Sequence, residues 1–129
     1  MADQALDLWP QLDTVNVQTP VSILKQQGML LGKHTKNLLE GRVFTHPHPS
    51  GFLLRFEIYA PTLNYAIELF SLTHDVNLYP VLIRSRFGHA DQPLPLLGSE
   101  EQFINWLKEV FNSGETKRVL ATLLAQVES

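Results

Sequence analysis

The side chains in this chain best suited to chemistry are imidazoles: His46 and His48, set two apart in His46-Pro47-His48-Pro49, and His74, which stands beside Asp75. Imidazole and carboxylate together hold zinc or a similar divalent cation, or serve as a general base with an orienting partner. A shared site over His46, His48, His74 and Asp75 is therefore the chemical expectation, with Ser50 and Tyr79 close by if the chain turns as the pattern below requires. The prolines offer a plainer account of the same residues, because proline fixes φ and removes a donor in a tight connector without asking for a ligand. Asp75 and Asn77 are equally at home in a turn.

Other routes to chemistry are closed or unsupported. Cysteine is absent, so disulfides, thiolate metal sites and cysteine nucleophiles do not arise. No glycine-rich dinucleotide fingerprint, phosphate loop, His-Glu-x-x-His or Gly-x-Ser-x-Gly segment occurs. Ser50, Ser71 and Ser85 gain nucleophilic character only beside a positioned base. Beyond a possible divalent metal no cofactor is expected.

The elements that must position these residues are read from periodicity. Thr19-Pro20 supplies an N-cap and a first-turn proline, and Ile23, Leu24, Leu30 and Leu31 follow on one helical face. Gly28 within that helix points to close packing against a sheet. Phe52, Leu54, Phe56 and Ile58 alternate with Arg55 and Glu57 at the strand period, and 39–46, 65–73 and 79–87 are further strands. Their connectors are too short for crossover helices, so the four strands form an antiparallel meander. Residues 88–98 read as an extended connection in which Leu94, Leu96 and Leu97 cover a core edge. Ser99 to Gln102 has the form of a capping box before the apolar stripe Phe103, Ile104, Leu107, Val110 and Phe111. After the break at Asn112-Ser113-Gly114, Val119, Leu120, Leu123, Leu124 and Val127 start a last helix. The fold class is α+β in the order α-β-β-β-β-α-α.

Strict alternation sorts the sheet into two faces. Val43, Phe56, Ile58, Ile67, Leu69, Val81 and Ile83 share one. The other holds Glu40, Arg42, Arg55, Glu57, Glu68, Arg84 and Arg86 with Phe44, Phe70, Leu72 and Leu82. Opposite charges there can form a solvated cross-strand ladder. Arginine and aromatic residues are also the types enriched in protein interfaces. Arg42, Arg55, Phe70, Leu72 and Arg84 are therefore the expected binding residues, for a protein partner or a second copy.

Residues 1–18 lack periodicity and read as an N-terminal arm on a single α+β domain spanning 19–129. Trp9 and Leu12 in it either dock on the core or form a partner-binding peptide. The first 12 residues show neither a basic segment nor an apolar h-region, and no apolar run approaches the roughly 20 residues that span a bilayer. With 10 Lys and Arg against 13 Asp and Glu, the formal charge of −3 opposes attraction to phosphate backbones or anionic lipid. The sequence thus predicts a small cytoplasmic binding or accessory protein without a membrane or nucleic-acid role. A small histidine- or metal-dependent enzyme is the alternative.

Overall fold

The computed structural model describes residues 5–14, 16–89 and 92–129. The helix α1, Pro20–His34, begins where the Thr19 hydroxyl accepts from the Ser22 amide at 3.1 Å. It is followed by β1 (Glu40–His48), β2 (Gly51–Ala60), a single 3-10 turn at Pro61–Leu63, β3 (Tyr65–His74) and β4 (Val81–Arg86). A short β5 (Leu96–Leu97) precedes α2 (Glu100–Phe111) and α3 (Gly114–Val127). The α+β architecture is as the periodicity predicts, with one correction: the sheet has five antiparallel strands in the order β1-β2-β3-β4-β5. Leu96 and Leu97 pair with Leu82 and Val81 along the β4 edge, inside the segment expected to be a plain connection. Two residues between Pro95 and Gly98 carry no readable period, which is why the pattern did not reveal this strand.

Capping chemistry sets both late helices. Ser99 accepts from the Gln102 amide at 3.2 Å, while Gln102 reaches back to accept from the Gly98 amide at 2.7 Å. The Ser113 hydroxyl performs the same service for Thr116 at the head of α3. These bonds satisfy amides that no helical carbonyl can reach.

Helices α1, α2 and α3 pack against one face of the sheet. Phe56 and Phe70 stack with centroids 5.4 Å apart, Trp106 of α2 meets Phe70 edge-on at 5.0 Å, and Phe111 lies 5.7 Å from Phe56. Leu24, Leu39, Phe70, Leu72, Val81 and Phe103 are wholly enclosed there. Helix α1 crosses β1 so closely that Gly28 rests on the backbone of Gly41, which is the close packing expected of a glycine inside a helix. Leu97 is buried and Leu94 packs on the core, whereas Leu96 is largely exposed and does not help to cover it.

Strict alternation fails in β3, and the failure matters. The pairing steps from Phe56 opposite Phe70 to Glu57 opposite Glu68, so Leu69 has no partner and forms a β-bulge. Beyond an extra residue the side-chain parity reverses. Ile67 therefore shares the helix-covered face with Phe70, Leu72 and His74, while Glu68, Ser71 and Thr73 face the other way. A second irregularity, at Arg84, offsets β4 against β3 between Ser71 and Leu72.

Candidate functional site

The four histidine-region residues share one end of the sheet, as the meander requires, but they do not converge. His46 pairs with Leu53, and its Nε2 accepts from Arg55 Nε at 3.3 Å on the helix-free face. An acceptor at Nε2 requires the neutral ring with its proton on Nδ1, so the lone pair a metal would use is already engaged. His74, after the parity reversal, lies on the helix-covered face. It is buried, packs on Phe52 with centroids 5.4 Å apart, and its Nδ1 is 2.8 Å from the Asp75 carbonyl. His48 Nδ1 accepts from the Ser50 amide at 3.2 Å, and the Asp75 carboxylate accepts from the Asn77 amide at 2.8 Å. These are local turn bonds. Among the described residues, no group of three or more His, Cys, Asp or Glu could hold a metal ion. The sheet itself separates His46, opposite Leu53, from His74, opposite Phe52.

The expected binding residues divide as well. Phe70 and Leu72 are core residues with no accessible surface, on the side opposite the one alternation assigned them, because the Leu69 bulge reverses parity just before them. Arg42, Arg55 and Arg84 do lie together on the face that no helix covers among the described residues. The Arg42 guanidinium sits 3.6 Å from the centre of the Tyr59 ring and 5.8 Å from that of Phe44, and the Arg55 guanidinium lies 5.1 Å from the centre of Phe44. Cation–π stacking of this kind holds long side chains flat against the sheet.

Polar order extends across the same face. Arg55 Nη1 meets Glu57 at 3.1 Å and Glu68 at 3.4 Å. Ser85 donates to Glu68 at 3.1 Å, so its 2.7 Å bond with Ser71 has the Ser71 hydroxyl as donor. Arg84 Nε donates to Thr73 at 3.0 Å. Arg55 is the hub, and its two carboxylates leave Arg42 and Arg84 with no acidic partner among the described residues. Two arginines thus stand uncompensated beside half-buried Phe44, Leu53, Tyr59 and Leu82. Tyr59 was not singled out by residue type, although its spacing from Arg55 and Glu57 on β2 places it on their face.

Two further surfaces have lining or partners of note. Gln18, where the arm meets α1, is tied down: its amide donates to Glu100 at 2.9 Å, and the Tyr79 hydroxyl donates to its carbonyl at 3.1 Å. Burial, and then the charge of Glu100, push the Tyr79 phenol up to about 12. Ahead of it, Leu6, Leu8, Trp9 and Leu12 are 78–83% exposed, so Trp9 and Leu12 do not dock on the core. At the opposite end of the sheet a groove of about 950 Å³ opens between Leu63, Tyr65 and Ile67 and the flank of α3.

Comparison of the chain with models of known protein families, with characterised proteins and with solved structures finds no match. No described helix is long and apolar enough to cross a membrane.

Proposed function

We propose that this chain is a small cytoplasmic binding or accessory protein that engages an acidic protein surface through the helix-free face of its sheet. The observation that supports the reading is an unneutralised arginine held against aromatic residues: Arg42 stacked on Tyr59, with Phe44 within 5.8 Å of Arg42 and 5.1 Å of Arg55. Groups ordered before binding lose little rotamer freedom on association, and arginine and tyrosine are the residue types that dominate interface energetics. Carboxylates on a partner would complete the charge balance that Arg55 already has. The overall charge of −3 favours a protein with a local acidic patch over nucleic acid, whose dense charge the rest of the surface would repel.

Affinity purification after mild cross-linking in the native cell tests this with two variants of matched stability. Arg42→Glu/Phe44→Asp alters the face, and Lys117→Glu alters the exposed side of α3. A protein retained by the parent and by Lys117→Glu, lost from the face variant, and binding the purified parent directly supports the proposal. The same captured proteins with all three forms would refute it.

A further inference from the structure

The exposed arm and the apolar groove lie at opposite ends of the same molecule. We propose that the 6–12 segment of one copy docks in the groove of a second copy, giving a dimer by reciprocal arm exchange. The arm presents Leu6, Leu8, Trp9 and Leu12 at 78–83% exposure. Four large apolar side chains so displayed on one short segment are a surface to be covered. The groove offers Tyr65, Ile67, Phe87, Val119 and Leu123, of which Tyr65 is 49% and Phe87 39% exposed. Its volume of about 950 Å³ takes an indole with neighbouring leucines.

Chain length decides that the arm belongs to another copy. Gln18 is fixed by Glu100 and Tyr79 near the end of the sheet where β3 finishes, whereas the groove opens where β3 starts. A strand the length of β3, Tyr65–His74, spans roughly 30 Å. Leu12 stands six residues before Gln18 and reaches about 20 Å at full extension. Trp9 reaches about 30 Å only along a straight line, with no length left to pass around the molecule. A second copy removes that limit, and a two-fold arrangement covers both arms and both grooves at once. Charge agrees: the segment 6–13 carries Asp7 and Asp13 and no cation, and Arg118 lines the groove. The Glu115 carboxylate at the groove wall is turned to His89 at 3.5 Å.

Sedimentation of the full chain and two variants tests the exchange independently of the sheet face. Trp9→Ala/Leu12→Ala removes the arm's anchors at exposed positions, and Tyr65→Asp places a like charge in the groove at a half-exposed one, so both variants keep the fold, as far-UV circular dichroism checks. The parent should sediment at twice the chain mass of 14.6 kDa, and each variant at the chain mass. An equimolar mixture of the two variants should regain a dimer, since it retains one intact arm and one intact groove. A parent that stays monomeric at every concentration, an arm variant that dimerises as the parent does, or a mixture that remains monomeric overturns the proposal.

Discussion

Replacing Gly28 by alanine sets two physical effects against each other. In an isolated helix alanine is favoured over glycine by about 1 kcal/mol, because glycine loses more backbone freedom on folding. At the crossing of α1 over β1, however, a Cβ on Gly28 would sit 2.9 Å from the carbonyl carbon of Gly41 and 3.2 Å from its Cα, and closer still to its oxygen. Those are backbone atoms in a paired strand and cannot rotate away. The Phe56 ring lies against the same side of Gly41 and leaves no free space beside the crossing. Helix α1 must instead lift off the sheet and loosen Ile23 and Leu24, which are buried beneath it. Overpacking costs about 1–3 kcal/mol and at times more, and a Cβ within 2.9 Å of rigid backbone takes the upper end, about 3 kcal/mol, so after the helical gain of about 1 kcal/mol the net loss is about 2 kcal/mol. For a chain of 129 residues this lowers the thermal midpoint by about 7 °C. Urea and thermal unfolding followed by far-UV circular dichroism read both quantities. A midpoint unchanged or raised would mean that propensity outweighs the crossing, and would refute the packing argument.

The parity assigned to β3 is tested by Phe70→Ala, which should cost about 3–5 kcal/mol as an enclosed ring in contact with Phe56 and Trp106; a loss below about 1 kcal/mol in denaturant unfolding would place the ring at the surface. Tyr79 tests the anchoring of the arm through pH. Its phenol, ordinarily titrating near 10, is raised to about 12 in the folded chain, so it contributes stability below pH 10 that is lost as pH rises through 12. Denaturant midpoints of the parent should therefore fall more steeply between pH 10 and 12 than those of Tyr79→Phe, and parallel profiles would contradict the assignment.

Much of the fold is legible in residue type alone. Thr19-Pro20, Ser99 with Gln102, and the Asn112-Ser113-Gly114 break mark helix ends because local hydrogen bonds decide them, and local bonds leave local signatures. The alternation in β2 marks its faces for the same reason. What stayed hidden depends on pairing between strands. Pro47 was read as a connector, yet β1 runs through it to His48, since an edge strand tolerates a residue with no amide to donate. The bulge at Leu69 has no glycine or proline to announce it, and Phe70 and Leu72, which follow it in β3, were assigned to the wrong face. That one offset moved Phe70 and Leu72 into the core and took His74 away from His46. Arg42 and Arg55 were placed correctly because β1 and β2 pair without interruption.

In β3 the spacing between residues is as much a requirement as their identity. Leu69 is the supernumerary residue of the strand: without it Glu68 and Phe70 would be adjacent, Ile67 and Phe70 would share a parity by plain alternation, and the ladder from Ile58 opposite Ile67 to Phe56 opposite Phe70 would close without a break. Both faces would keep their present members, and only the buried Leu69 side chain would be lost from the core. One more residue inserted beside it would have to be taken up by a wider bulge, or it would turn Phe70 and Leu72 towards water and press the hydroxyls of Ser71 and Thr73 into a greasy interior. Tolerance of a removal at position 69 combined with intolerance of an addition there is the behaviour such a strand imposes on its gene.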